Sequence, residues 1–150
     1  MRTHASIACV TSKELKLAGA MLYVCEGTKL RKDNRYKNTY IYAIELTNSD
    51  PKIVALFIRF LTQILKVDQA KLKGQLFIYP DLDKDAVTRI WSSVSGIKIA
   101  QFQKVIMLKA KVSKFKPNPL GTFKVRYTNK QKYLELQSII DSVWGGAELT

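Results

Sequence analysis

The chain divides into segments with two different patterns of apolar and polar residues. In four segments apolar side chains recur every three or four residues, which indicates amphipathic helices. The first of these has Thr11 and Glu14 at capping-box spacing and Gly27 as a natural stop, and another begins with Asp50 followed by Pro51. The pattern therefore predicts helices over residues 12–26, 51 to about 66, 83–94 and about 130–144.

In the segments between these helices apolar and polar residues alternate, as in strands that are buried on one face. The alternation predicts strands over residues 28–33, 39–47, 71–79, 105–113 and 122–128. The resulting order, α-β-β-α-β-α-β-β-α, has no repeat or linker, and it predicts one α+β domain over residues 1–150. We expect a core over about 12–144, mobile ends at 1–10 and 145–150, and helices covering one face of a mixed or antiparallel sheet.

The charge of the chain indicates a class of partner, because the 150 residues include 25 Lys and Arg but only 12 Asp and Glu, for a net charge of +13. Such an excess favours a polyanion, with nucleic acid first and a membrane surface second, although a basic surface that is merely solvated is the plain alternative. The cationic residues fall on the polar faces of the predicted strands. They are Lys29, Arg31, Lys71, Lys73, Lys109, Lys111, Lys124 and Arg126. A positive sheet of this kind has the shape for contact with the DNA major groove.

Several classes of protein are excluded or disfavoured by the composition. Residues 1–11 lack the apolar core of a signal peptide, and the apolar runs are too interrupted to cross a bilayer. Cys9 and Cys25 are too far apart for a zinc knuckle, and His4 is the one histidine, so neither a zinc site nor a histidine-based triad is expected. The sequence predicts an intracellular location, cytoplasmic or nucleoid-associated, with no membrane association and no small-molecule substrate.

Glu26 is the residue whose position is hardest to explain by folding alone. Leu15, Gly19, Leu22 and Glu26 share one helical stripe, and its small residues would let another helix approach closely. A carboxylate at a helix C-terminus is unfavourable, because that end carries partial negative charge. A metal ion would compensate both Glu26 and the carbonyls around Cys25, whereas the structural alternative is an ion pair across the turn. The candidate partners for that pair are Lys29 and Arg31.

The segment GAMLYVCEG, residues 19–27, resembles the nine-residue signature of the LAGLIDADG family of homing endonucleases and their relatives. Ala20, Leu22, Glu26 and Gly27 match its second, fourth, eighth and closing positions.

The match has departures, because Met21 stands where glycine is usual and Val24 replaces the first acid of the signature. The segments LTNSDP, WSSVSGI, QFQK and GTFKVR also resemble small family members, and the order of elements agrees. The resemblance covers about residues 12–144.

The resemblance implies a saddle-shaped sheet in the DNA major groove and a homodimer, because the chain has one motif. Glu26, with the Cys25 carbonyl, would bind Mg²⁺ or another divalent cation for site-specific cleavage at a near-palindromic site. Lys104 and Lys109 are the candidates for a catalytic assistant, and ordinary phosphate contact is the alternative for both. The expected dimer interface is Leu15, Ala18, Gly19 and Leu22. The residues expected to contact DNA are Lys29, Arg31, Arg35, Lys71, Lys73, Gln75, Lys109, Lys111, Lys124 and Arg126. The alternatives are a DNA-binding regulator that does not cleave and an RNA-binding or splicing-assistance protein.

Overall fold

The computed structural model of the protein describes residues 10–32, 35–36, 39–109 and 119–145. Within these residues the helices are α1 (Ser12–Glu26), α2 (Pro51–Gln63), α3 (Lys84–Ser95) and α4 (Lys130–Val143). The strands are β1 (Arg31–Lys32), β2 (Tyr40–Ile41), β3 (Ala43–Asn48), β4 (Lys73–Ile78), β5 (Ile106–Met107) and β6 (Thr122–Thr128). Short 3-10 turns, Gln69–Lys71 and Ile99–Gln101, precede β4 and β5. The predicted single α+β domain is confirmed at this level.

The helix starts follow from local sequence. Glu14 N–H donates to the Thr11 hydroxyl at 3.1 Å while Thr11 N–H donates to the Glu14 carboxylate at 2.9 Å, which completes the predicted capping box. Asp50 and Asp83 cap α2 and α3 by accepting backbone N–H bonds. Gly96 ends α3 with a φ of 73°, a conformation that favours glycine.

The main sheet is mixed and has the order β3-β6-β4-β5. Strand β6 lies antiparallel to both β3 and β4, whereas β4 and β5 are parallel. The register places Glu45 opposite Arg126, and Arg126 opposite Lys73. These three charged side chains therefore share one row across the face of the sheet.

The segment predicted as one strand over 39–47 is interrupted at Tyr42. Gly27 is opposite Leu46, and Arg31 is opposite Ile41. The chain takes four residue steps from Gly27 to Arg31 but five from Ile41 to Leu46, so the second segment has one extra residue. The extra residue makes a bulge, and the Tyr42 carbonyl accepts a hydrogen bond from an N–H at the start of α4 at 3.0 Å. The hairpin β1–β2 is therefore a separate two-stranded sheet beyond the bulge.

The core lies between the helices and one face of the main sheet. Helix α1 lies between α2 and α4, and all three contact β3. The strand residues that face this core alternate along β3, β4 and β6, as their period of two requires. They are Ile44, Leu46, Gly74, Leu76, Ile78, Phe123, Val125 and Tyr127, and all are buried. None of the helices in the described ranges is long and apolar enough to cross a membrane.

Some helices and strands end at residues other than the predicted ones. Helix α2 ends at Gln63, and Lys66 turns the chain with a φ of 55°. Lys71 belongs to a 3-10 turn and not to β4. The strand predicted over 105–113 is described only as Ile106–Met107; residues 110–118, which include Lys111, lie outside the described ranges, as do 1–9 and 146–150.

Candidate functional site

The face of the main sheet that points away from the helices is called the open face here. Its side chains come from alternate positions of three strands: Ala43, Glu45, Thr47, Lys73, Gln75, Phe77, Thr122, Lys124, Arg126 and Thr128. Four residues of the predicted DNA-contact set, Lys73, Gln75, Lys124 and Arg126, are brought together on this face. The alternation in the sequence is sufficient to place them there.

Glu45 is the acid of the open face, and sequence reasoning missed it. Its side chain is only 2% exposed, and one carboxylate oxygen lies 3.1 Å from Nη1 of Arg126 and 4.0 Å from Nζ of Lys124. A buried carboxylate is stable when it is paired in this way. The signal was available in the sequence, because Ile44 and Leu46 face the core and place Glu45 on the opposite face.

The open face changes in polarity along the strands. One row contains Glu45, Arg126 and Lys73, and the row two residues away contains Lys124 and Gln75. The Gln75 amide donates to the Lys104 carbonyl at 2.9 Å, which ties this row to the segment before β5.

The next row of the open face is largely apolar. It contains Thr122, Phe77 and Ile106, and the ammonium of Lys124 lies 5.5 Å from the centre of the Phe77 ring. The face can therefore offer hydrogen bonds, positive charge and an apolar surface to the same ligand.

The predicted contacts in the β1–β2 hairpin have different surroundings. Lys29 donates from its ammonium to the Val24 carbonyl at 3.0 Å, which satisfies the end of α1. Arg35 lies over the ring of Tyr36 at 5.6 Å, and Tyr36 is strongly exposed. The Arg31 side chain lies outside the described part of the structure.

The hairpin is held against α4. The backbone of Leu30 hydrogen-bonds to the Tyr133 hydroxyl, and the Tyr133 ring meets that of Tyr42 edge-on at 5.8 Å. Burial raises the pKa of the Tyr133 hydroxyl, and the hydrogen bond from Leu30 opposes this shift. The hairpin therefore has a fixed base from which its cationic and aromatic residues project.

Glu26 is the last residue of α1 and is exposed. Within the described ranges it forms no ion pair; of its two predicted structural partners, Lys29 has its ammonium bonded to a carbonyl instead, and the Arg31 side chain lies outside the described part of the structure. Most other acids in these ranges have partners, either as acceptors at helix starts or in ion pairs: Glu14, Asp50, Asp68, Asp83, Glu45 and Glu135. Asp141 also lies in a last helical turn without an ion pair there, so it is a natural control for Glu26.

The stripe predicted to contact a second subunit divides into two parts. Leu15 and Gly19 are buried in the core of their own chain, and a Cβ added to Gly19 would lie 2.1 Å from the Phe60 ring, so Gly19 contacts α2. Ala18 and Leu22 are half-buried and lie nearer the surface. A helix does approach closely at Gly19, as the small residue predicted, but that helix is α2.

The side of α1 turned away from the core is called the outer face of α1 here. It consists of Leu17, Ala18, Met21 and Cys25, which recur at helical spacing; Leu17 and Cys25 are exposed, whereas Ala18 and Met21 are half-buried and Met21 also packs against the edge of the core. Leu17 is 50% exposed. An apolar face of this kind ends beside Glu26 and is available to a partner.

The predicted catalytic residues are not close together within one chain. A continuous row of paired positions runs from Gly27 through β3, β6 and β4 to Phe102. Four strand spacings separate its ends, or about 19 Å. Lys104 and Lys109 are therefore on the far side of the sheet from Glu26, and both are exposed.

Metal binding within one chain also lacks a complete set of ligands. In the described ranges no three residues among His, Cys, Asp and Glu are grouped so that they could hold a metal ion. Glu26 supplies hard oxygen of the type that Mg²⁺ prefers, and the predicted second ligand, the Cys25 backbone carbonyl, is also an oxygen, whereas the exposed Cys25 thiol is a soft ligand. A magnesium site at Glu26 would thus need oxygen ligands from outside this chain.

Comparison with known proteins adds no family to these observations. No protein-family model matches the chain, and no curated protein or solved structure is significantly similar to it.

Proposed function

We propose that the protein binds duplex DNA through the open face and cleaves it as a two-fold dimer that uses Glu26 of both copies. The observation that carries the proposal is Glu26 itself, an exposed carboxylate without an ion pair in the described ranges, at the end of an apolar helix face. In a chain with a net charge of +13 whose described part uses most of its other acids in helix caps or ion pairs, this carboxylate has no such partner there.

DNA binding is supported by the chemistry of the open face. Lys73, Lys124 and Arg126 provide positive charge there, and the acid among them is already paired. Such a face attracts phosphates and keeps directional donors for base edges. The exposed Lys104 and Lys109 extend the cationic surface beyond β4.

Dimerisation is supported by the outer face of α1. Two copies joined there about a two-fold axis would bring their Glu26 residues to the same end of the helix pair. Two carboxylates with neighbouring carbonyls provide a hard oxygen set that suits Mg²⁺, and that ion would supply the positive charge that polarises water and a phosphate. Glu26 would hold the ion in place, and the lysines of the open face would position the strands.

Cleavage is tested by Glu26→Gln with Asp141→Asn as the matched control, on a pool of random duplexes with Mg²⁺ or Mn²⁺. We expect Glu26→Gln to abolish cleavage while DNA affinity stays the same or increases, because a negative charge near phosphates is removed. Asp141→Asn should change neither. Cleavage by Glu26→Gln at the wild-type rate would disprove the role of this carboxylate.

Binding is tested by salt titration. Affinity for duplex DNA should fall steeply as salt rises, and Lys73→Gln or Lys124→Gln should each reduce the slope by about 1. Lys84→Gln, at the start of α3, provides a control that should leave the slope unchanged. A flat response of the wild type would remove DNA from the proposal, and stronger binding of structured RNA at matched salt would favour an RNA-binding role.

The dimer is tested with Cys25, because it lies on the outer face of α1. In a Cys9→Ser background, mild oxidation should join two chains through Cys25, and Cys25→Ser should prevent it. A chain that stays monomeric on DNA and is not cross-linked would rule out the two-fold mechanism.

A wild type that binds DNA but does not cleave it would leave the second candidate, a non-cleaving DNA-binding regulator, which the open face supports by itself.

A further inference from the structure

Arg126 occupies a central position on the open face. It lies in β6, which is paired on both sides, with Glu45 opposite on β3 and Lys73 opposite on β4. Its Nη1 is 3.1 Å from the Glu45 carboxylate, and its Nε donates to the Thr128 hydroxyl at 3.4 Å. The guanidinium is therefore restrained at two of its nitrogens before any ligand arrives.

This restraint lowers the cost of binding. An unrestrained arginine loses rotamer freedom when it grips a ligand, whereas a side chain held by a buried carboxylate has lost much of that freedom on folding. Glu45 is 2% exposed and cannot regain water without unfolding locally, so it keeps its cation in place. The pair provides a prearranged donor group at the centre of the sheet.

The donors that remain on Arg126 determine what it can recognise. A guanidinium has five N–H groups, and the two contacts use one on Nε and one on Nη1. The remaining N–H groups include both on Nη2, and the side chain is 27% exposed. Two adjacent N–H donors match the O6 and N7 acceptors that guanine presents in the major groove.

Charge favours a base edge over a phosphate as this ligand. The carboxylate of Glu45 lies closer to Arg126, at 3.1 Å, than to Lys124, at 4.0 Å, so it offsets part of the charge of Arg126 and weakens its attraction for phosphate, while the directions of the remaining donors are unchanged. Lys73, opposite Arg126 on β4, has no carboxylate beside it among the described residues of this face and is better suited to phosphates, because an ammonium acts as a point charge.

We infer that Arg126 is a specificity-determining residue that recognises guanine in the major groove of duplex DNA, and that Glu45 is the positioning residue that holds it. The inference rests on the proposed binding of duplex DNA and does not depend on cleavage. It assigns different tasks to neighbouring cations of one face: base recognition to Arg126 and phosphate contact to Lys73.

The experiment selects bound duplexes from a random pool with the wild type and three variants, without divalent metal. The wild type should enrich sites with a guanine at a fixed position. Arg126→Lys keeps the charge but loses the two-donor edge, so it should lose about tenfold or more of the preference for that guanine, with its salt slope unchanged.

The two other variants separate positioning from charge. Glu45→Gln should weaken the same preference while affinity for unrelated duplexes holds or rises, because a negative charge is removed. Lys73→Gln should weaken binding to all sequences alike and leave the guanine preference intact. Thermal unfolding confirms that each variant is folded, and if Glu45→Gln unfolds, Arg126→Lys decides the result.

The outcomes are distinguishable. If Arg126→Lys selects the same guanine as strongly as the wild type, or loses affinity equally for all sequences, Arg126 does not read a base and the inference is wrong. If the wild type does not bind duplex DNA with a steep salt dependence, the proposed function fails, and the inference fails with it.

Discussion

The close approach of α1 and α2 at Gly19 gives a prediction whose sign is diagnostic. A Cβ built on Gly19 would lie 2.1 Å from Cγ and Cδ1 of Phe60 and 2.7 Å from its Cβ. Ordinary carbon–carbon contacts are ~3.5–4.0 Å, so the methyl of Gly19→Ala would overlap the ring by about 1.5 Å. The overlapped atoms are at the base of a fully buried side chain, which has no free space into which to move.

The magnitude follows from two opposing effects. Overpacking of this kind costs up to about 3 kcal/mol, and replacing glycine by alanine inside a helix gains roughly 1 kcal/mol. We therefore expect Gly19→Ala to lower the free energy of unfolding by about 2 kcal/mol, or the melting temperature by about 4–8 °C. Ala18→Gly, on the outer face of α1, should show only the helix-propensity effect, a loss of about 1 kcal/mol, when it is measured at a concentration at which the chain is monomeric.

Urea unfolding and thermal melting measure the effect, and a double-mutant cycle with Phe60→Ala assigns it to the contact. In that background the added methyl enters the space left by the ring, so Gly19→Ala should cost much less or stabilise the fold. A higher melting temperature for Gly19→Ala alone would refute the reasoning, because it would mean that no helix is packed there. If Gly19 instead contacted a second subunit, its effect would disappear as the protein is diluted.

Three further predictions concern helix ends. Asp50→Ala should cost about 1 kcal/mol through loss of the cap of α2, measured by urea unfolding, whereas Asp81→Ala, which removes no cap, should be near neutral. The hydrogen bonds that Thr11 makes with Glu14 lower the pKa of the Glu14 carboxyl. Their stabilisation of the fold is therefore present above the unfolded-state pKa and is lost as pH falls through the folded-state pKa. Thr11→Val should reduce this loss of stability at acidic pH, measured by thermal melts across pH. Lys29→Met should lower thermal stability by roughly 0.3–1 kcal/mol, because it removes the ammonium from the end of α1, while DNA affinity should change less than in Lys73→Gln.

The elements that sequence predicted well are those fixed by neighbouring residues. Thr11 and Glu14 begin α1, Asp50 begins α2 and Gly96 ends α3, as local capping rules require. The break at Tyr42 could not be predicted, because it involves a hydrogen bond from the distant start of α4. The parallel pairing of β4 with β5 is equally non-local.

Part of the candidate site was also predictable, because helix ends and the strand period depend on neighbouring residues. Glu26 was found from its position at a helix end, and the strand period placed Lys124 and Arg126 on one face. The partner of Gly19 was assigned to a second subunit because a small-residue stripe shows that a helix approaches but does not show which helix. For Glu45 the strand period indicates the face, but its partner Arg126 lies on a strand whose pairing is non-local, so the ion pair could not be predicted.

The allocation of carboxylates to helix starts and ion pairs has a consequence for the fold as a whole. Because most acids of the described ranges are held at helix starts or in ion pairs, many of the 25 Lys and Arg side chains have no acid beside them, and with a net charge of +13 these like charges repel one another across the folded surface. Mobile counterions shorten the range of that repulsion, to about 8 Å at physiological ionic strength. A high salt concentration should therefore weaken binding to a polyanion and at the same time stabilise the unbound protein against unfolding. The salt concentration that suits storage is then the opposite of the one that suits binding.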